Sequence, residues 1–592
     1  MLNNGRAMTK LLHRFRDQHN CNVTVTARDK CIYPEFNFED IMVRPLPIGV
    51  QDFKEVRDEG YLYVDKTDII HQILSQKSEV YQFTRPRRFG KSLNLSMLDA
   101  FFNIKYPKDN TWFDGLKVSD CKECDVYKNA YPIIYMDLKN LGVSNMKTFD
   151  SDLIDEMSNL FHNHKYLLDS DILDDVDKEY FDDVFRRKLN PIMLRKSVAK
   201  LSRMIHEHHG KKVIVLIDEY DNPIHNAFGK PHHQEILDSM RDILSSALKG
   251  NDSLQFGVVI GVMQISKESI FSGFNNLKIN NVLSKDFDEM FGFTDEEVKA
   301  ILEEYGRPEK IEEAREWYDG YRFGDADVYN PWTLLNYVSE RFEPKPYWAG
   351  TSGNSILKDL FENASSELWC EFRLLSEGQS IQYEMKPNIT FRDLDTDQRN
   401  IYSMLVISGY LTIFEDDGIQ YIRIPNGEMA NVFGSYILDR LNADSPMYVR
   451  SLSRAFISED IGTIEKRLYN LFASSAGNAM LNDEHSYQAF VTGMLMFLNG
   501  RYTVKADFEE DNGRYDIRLK RRYGDFPNIV IEIKRIPIDS SDEAAETSAK
   551  KALEQIKERD YTHGLEGPTL IYGIAFRNKK PTVLSERMYI QP

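Results

Sequence analysis

The feature that most constrains this chain is an alternation running through its first half. Four short apolar runs, "EVYQFT" (79–84), "PIIYMDL" (132–138), "KVIVLID" (212–218) and "LQFGVVIGVM" (254–263), are separated by long helical stretches such as "NPIMLRKSVAKLSRMIHEHHG". A strand that is apolar at every position has to be covered on both faces. Short buried strands alternating with helices make a parallel sheet with crossover connections, so the first two-fifths of the chain reads as α/β.

The same runs limit what else the chain can be. None approaches the ~20 apolar residues of a membrane span. The opening "MLNNGRAMTKLLHRFRDQHN" has no secretory apolar stretch before its charges. Five cysteines in 592 residues make no disulfide framework. The expectation is a cytoplasmic protein with no membrane partner. Cys121 and Cys124 form a C-x-x-C without a second ligand pair, so they read as ordinary thiols. The histidines of "HEHHG" and "PHHQE" read as solvated. A net charge of −19 argues against whole-surface affinity for nucleic acid and leaves only a local basic cleft.

Along the chain, 1–44 is weakly periodic and reads as an N-terminal extension, and 45–290 as the α/β core. Residues 291–440 turn mostly helical. There "TDEEVKAILEEYG" opens on an N-cap threonine with an acidic first turn. "QRNIYSMLVISGYLTIFEDDGIQYIRIPN" reads as a helix followed by a two-stranded ribbon, a winged-helix-like unit. Residues 441–483 read as a helical connector, and 484–592 return to α/β.

The first chemical constellation is "YQFTRPRRFGKSLNLSML". A strand, a basic loop and a helix give amide N–H groups that converge on phosphate oxygens. Lys91 suits the terminal phosphates, Ser92 suits Mg²⁺, and Gly90 allows close backbone approach. Where a phosphate loop carries its first glycine stands Arg85, and Arg85, Arg87 and Arg88 put three cations around the loop. Gly-Lys-Ser alone is weak, so context decides. In "KKVIVLIDEYDNPI" a buried strand runs straight into Asp218-Glu219, which suits one carboxylate at the metal and its neighbour, Glu219, as the base beside the attacking water. Gln264 and Ser266, at the end of the next strand, are candidate sensors of the terminal phosphate.

The second constellation is "NGRYDIRLKRRYGDFPNIVIEIKRI". Strand alternation puts Tyr515, Ile517 and Leu519 on one face and Asp516 on the other. On the following strand, Ile529, Ile531 and Ile533 oppose Glu532 and Lys534. In-register pairing would bring Asp516, Glu532 and Lys534 together. Two carboxylates bind Mg²⁺ or Mn²⁺ beside a phosphodiester, and the lysine orients the attacking water. The bland alternative is a solvated ion pair on a half-exposed strand. Glu484 and Gln555 are accessory candidates. A capping box from Ser540 to Glu543 is expected to open the helix that carries Gln555. Arg514, Arg518, Lys520, Arg521, Arg522, Lys534 and Arg535 form the local basic run that could meet a phosphate backbone.

Taken together, "LPIGVQDFKEVRDEGYLYVDKTDII", "FTRPRRFGKSLNLSML", "VIVLIDEYDNPI", "SIFSGFNNL", "EWYDGYRF", "VYNPWTLLNYV" and "SGYLTIF…IPNGE" resemble the AAA-ATPase-like family, whose members commonly carry a C-terminal PD-(D/E)XK nuclease-like domain. The resemblance covers roughly residues 45–580. It implies a P-loop (RecA/AAA-like) core, a helical and winged-helix-like lid, and a restriction-endonuclease-like α/β domain. The implied nucleotide-binding set is Arg85, Arg87, Arg88, Phe89, Gly90, Lys91, Ser92, Asp218 and Gln264. It also places "YVDKT" near the nucleotide and aligns Gln555 and Tyr561 with a helix that follows the catalytic lysine. ATP and Mg²⁺ (or Mn²⁺) are the implied cofactors and nucleic acid the implied partner, DNA ahead of RNA. A homo-oligomer is compatible with the sequence. By analogy, such an arrangement suits defence or the handling of mobile elements. The alternative is an ATP-dependent switch whose C-terminal domain binds without cutting.

Overall fold

The computed structural model describes residues 43–263, 277–348, 366–376, 378–387, 389, 393, 397–440, 446–475, 484–495, 502–510, 513–522 and 526–591. All but Val43 of these lie in the compact unit Arg44–Pro592. Apart from Val43 and Arg44, the expected N-terminal extension lies outside the described residues.

The four predicted strands join a fifth in one parallel sheet. It comprises β1 (Val80–Thr84), β2 (Ile133–Asp137), β3 (Val213–Asp218), β4 (Leu254–Gly261) and β5 (Leu277–Asn280), in the order β2-β3-β4-β1-β5. Cores cover both faces, as strands apolar at every position require. Tyr81, Phe83, Ile214 and Leu216 pack into one, and Ile134, Met136, Val215 and Ile217 into the other. Parallel pairing aligns the strand ends: Thr84 opposes Gly261, Asp218 opposes Ile260, and Asp137 opposes Asp218. The loop after β1, the Asp-Glu after β3 and the exit of β4 therefore share one rim, where open α/β sheets bind ligands.

The lid follows. Thr294 caps the helix Asp295–Glu304, as its sequence predicts, and the structure adds a full capping box with Glu297. The next helix, Ile311–Tyr318, runs into a hairpin of β6 (Tyr321–Phe323) and β7 (Ala326–Val328), which the helical reading of this stretch missed. Gly324 turns that hairpin at φ +52°, where a Cβ would lie 2.5 Å from the Ser284 carbonyl oxygen. The helix Ile401–Ser408 and the ribbon β9 (Thr412–Asp416) and β10 (Ile419–Arg423) match expectation. A short β8 (Ile381–Gln382) pairs on the far side of β10.

"YVDKT" acts as a brace. Lys66 is buried and donates to the Glu289 carbonyl and both oxygens of Glu297, while Asp65 accepts from Thr67 and the Lys117 amide.

The C-terminal sheet runs β11 (Tyr502–Glu510), β12 (Gly513–Arg521), β13 (Asn528–Ile536), β14 (Gly567–Arg577) and β15 (Lys580–Ile590) in sequence order. It is parallel only between β13 and β14. Ile517, Leu519, Ile529, Ile531 and Ile533 form one core with the preceding helices, as alternation predicts. Tyr515 does not join them. It packs with Val530, Ile556 and Tyr561 under the helix Asp542–Glu558, so strict alternation breaks at Asp516. That helix is capped by Ser541, which accepts from the Ala544 amide, and not by Ser540.

Two further expectations are corrected. Cys121 and Cys124 are joined as a disulfide. The histidines are packed and not merely solvated: His209 meets the Tyr166 hydroxyl at 2.9 Å, His208 meets Ser170, and His206 meets Ser253. Among the described residues no helix is long and apolar enough to cross a membrane.

Candidate active sites

The strand β1 ends in a loop that reaches the helix Lys91–Phe102 through Gly90 at φ +80°, a left-handed conformation that favours glycine. Lys91 is buried, and its Nζ donates to the Pro86 carbonyl at 2.9 Å. Burial lowers its pKa, opposed first by the charge of Glu219 and then by Asp218 and Asp221. The Ser92 hydroxyl acts on the Asp218 carboxylate. Burial pushes that carboxylate up to about 6, and Ser92 partly offsets the rise. Glu219 stands at φ +49°, and its amide donates to Asp218 Oδ1. A non-glycine residue held there is strained, and such residues cluster at functional sites.

The rim also holds a residue that sequence reasoning missed. Asp221 is buried and accepts the Val262 and Met263 amides on Oδ2, at 3.0 and 2.6 Å. Its Oδ1 has no hydrogen-bond partner among the described residues. Gly261 makes room for it, since a Cβ there would lie 2.3 Å from that oxygen. The repeat of Asp after Asp218 in "DEYD" was the available signal. Asp221, with Tyr220 donating to the Met263 carbonyl, pins the exit of β4. Gln264 and Ser266 themselves lie outside the described residues.

The basic loop is not uniformly aimed at phosphates. Arg85 is fully buried beneath it, donates to the Thr84 and Asn280 carbonyls, and sits over the rings of Phe291 and Phe323. Burial drives its pKa down to about 9 against the opposing charge of Asp288. Phe89 is also core, packed on Tyr321 and Phe323. Both depart from the expected nucleotide-contacting set, because an arginine in place of the usual glycine turns inward and its neighbours fill the space beneath the loop. Arg87 carries its charge close enough to act on Lys91 and His225. Arg85→Ala is expected to cost about 3 kcal/mol of stability, through a cavity and two stranded carbonyls. Denaturant unfolding checks this, and a loss below about 1 kcal/mol would mean the guanidinium is dispensable.

At the second site, β12 and β13 pair antiparallel with Ile517 opposite Ile531. Glu532 is almost fully buried. Its Oε1 accepts from Lys534 Nζ at 2.8 Å and from Gln555, while its Oε2 has no partner among the described residues. Lys534 also reaches Glu484 at 3.3 Å, and Glu484 accepts the Arg535 amide. Asp516 Oδ2 accepts the Ile533 amide at 2.6 Å. Burial raises both acids, and for Asp516 the charge of Glu532 adds to the rise. Burial works against the Lys534 ammonium, but Glu532 and Glu484 outweigh it and raise its pKa. Asp516, Glu532, Lys534, Glu484 and Gln555 are thus brought to one place.

Gln488, one helical turn after Glu484, was missed; it donates to the Asp516 carbonyl at 2.9 Å. Among the described residues no set of three His, Cys, Asp or Glu is disposed to hold a metal ion. Even so, an orphaned oxygen on buried Glu532 beside the Asp516 carboxylate fits a cation completed by other oxygen ligands. At the first site, Ser92 with Asp218 supplies a comparable oxygen pair.

The basic run is dispersed. Arg518 is buried over Tyr515, and Arg522 pairs with Glu316 and sits over Trp317 of the lid. Lys520 and Arg535 remain exposed.

Residues 47–271 match a family model described as predicted AAA-ATPase, and residues 482–586 match one described as PD-(D/E)XK nuclease superfamily. The chain is also 26% identical over 563 residues to an uncharacterized protein in the vnfD 5′ region of Azotobacter chroococcum mcd 1, covering 91% of this chain and 98% of that one.

Proposed function

We propose, for a chain that joins an AAA-ATPase-like segment to a PD-(D/E)XK nuclease-superfamily segment, that ATP binding and hydrolysis at the first site control phosphodiester cleavage at the second. The observation that carries this reading is the Asp516–Glu532–Lys534 cluster, in which buried Glu532 keeps a carboxylate oxygen with no partner among the described residues. A divalent cation bound at Ser92–Asp218 or at Asp516–Glu532 would neutralise phosphate charge and polarise a bound water. Lys91 exchanges the Pro86 carbonyl for a phosphate oxygen. Glu219 accepts a proton from the water that attacks ATP. Lys534, held as an ammonium between Glu532 and Glu484, orients the water at the second site. We assign the nucleic-acid substrate as DNA ahead of RNA, and the setting as defence or mobile-element handling in the cytoplasm.

The test is a cleavage screen on several DNA and RNA substrates with Mg²⁺ or Mn²⁺, with and without ATP, using Lys91→Ala and Asp516→Ala as controls. Metal-dependent nicking that Asp516→Ala abolishes is the expected result. The internal engagement of Arg518 and Arg522 favours a second reading, an ATP-driven switch that binds without cutting. Retained binding without cleavage under every metal condition would select that reading.

A further inference from the structure

The phosphate loop is built into the lid at four successive points. Arg85 lies over Phe291 and Phe323. Pro86 packs on Gly409, at φ +85°, where an added Cβ would come within 2.8 Å of the proline ring. Phe89 packs on the β6 rings. Arg88 makes the most specific of these contacts. It stands at φ +70°, its guanidinium lies 3.9 Å from the centre of the Trp332 ring, and its Nη1 is buried without a hydrogen-bond partner among the described residues.

Beside it is Glu428, completely buried in the lid. Its two oxygens accept from the Trp348 amide at 2.6 Å and from the Thr333 hydroxyl at 3.0 Å. Burial pushes its pKa up to about 8, and the nearby charge of Arg88 draws it back down. Arg88 is in turn the loop cation on which the Glu428 charge acts. A guanidinium stacked on an indole is attracted by the electron-rich face of the ring, and the charge of the buried Glu428 carboxylate acts on the same cation.

We propose that Arg88 is a latch joining the phosphate loop to the lid, and not a phosphate ligand. Loop conformation and docking of the lid segments 321–348 and 401–433 then form one equilibrium. This rests on the loop being the nucleotide site. A nucleotide that reshapes the loop shifts Arg88 relative to Trp332 and Glu428, and so reaches the lid. By linkage, lid docking changes nucleotide affinity by the same factor. Both partners come from motifs whose role the sequence left open, Trp332 from "YNPWTLL" and Glu428 from "PNGE".

The experiment is hydrogen–deuterium exchange on the full chain, with and without magnesium and a non-hydrolysable ATP analogue, alongside measurement of analogue affinity. In the natural protein the analogue is expected to change exchange across both lid segments. Arg88→Ala should bind the analogue within about tenfold of the natural protein, the size of an ordinary coupling, yet lose the lid response. Trp332→Leu and Glu428→Gln should do the same. Arg88→Lys, which keeps a cation over the indole, should restore part of the response. A lid response equal in Arg88→Ala and the natural protein overturns the latch. So does Arg88→Ala losing the analogue as completely as Lys91→Ala, which would make it a phosphate ligand. If the natural protein does not bind the analogue at all, the nucleotide-site reading itself fails.

Discussion

Asp516→Asn is expected to lower metal-dependent cleavage by at least ~10³-fold, about 4 kcal/mol of transition-state stabilisation, and to make the metal-free protein more stable at pH 8. The two effects share one cause. In the folded chain the Asp516 carboxyl is buried near Glu532, and its pKa lies above the ordinary carboxylate value. A raised acid binds more protons folded than unfolded. Stability therefore falls as pH rises from about 4, the ordinary carboxylate pKa, through the raised value. Asparagine keeps an oxygen for the Ile533 amide and removes the charge, so that loss disappears. The melting temperature in a chelator should then rise for the variant at pH 8 and differ little at pH 4. Adding Mg²⁺ or Mn²⁺ should raise it for the natural protein, by ligand linkage, and not for the variant. A variant that is less stable than the natural protein at pH 8 would mean that Asp516 holds the fold and not a cation.

Glu219→Gln is expected to leave nucleotide affinity within about threefold while cutting ATP turnover by ~10²-fold or more, the range for loss of a general base. Glutamine has the shape of glutamate and tolerates the same backbone, so the strained φ of +49° and the amide bond to Asp218 survive. What is lost is the carboxylate. Equilibrium binding of an ATP analogue and steady-state phosphate release separate the two quantities. Turnover unchanged in Glu219→Gln would take Glu219 out of its role and leave Asp221, a further acid on that rim, as the residue to replace next.

Much of the architecture was legible from local pattern. Short, largely apolar runs alternating with helices have to be covered on both faces, so β1 to β4 and their parallel sheet follow from the alternation, while the order that puts β2 at an edge does not. The Thr294 N-cap was equally legible, because its physics is confined to the first turn of one helix. At the second site the period-two pattern of β13 separates Ile529, Ile531 and Ile533 from Glu532 and Lys534, and that separation is observed. The β6–β7 hairpin was missed because its strands are three residues long and their pairing is sustained by packing beneath the phosphate loop. Tyr515 was assigned to the wrong face because alternation breaks where a tyrosine finds a better cavity under the helix Asp542–Glu558, which comes later in the chain.

What the sequence by itself determined is the inventory: a strand–loop–helix with Gly90-Lys91-Ser92, a buried strand ending in Asp218-Glu219, and an acid-acid-lysine set on two adjacent strands. Local periodicity and side-chain chemistry suffice for these, because each lies within one element or two neighbouring ones. Only the tertiary structure decided how the arginines of "RPRR" divide. Arg85 enters the core and Arg88 stacks on Trp332 beside Glu428, partners that lie 195 to 340 residues away in the chain. The side chain of an arginine is long enough to reach a phosphate, a carbonyl or an indole. Which one it meets depends on what the fold packs around the loop, and no local pattern encodes that.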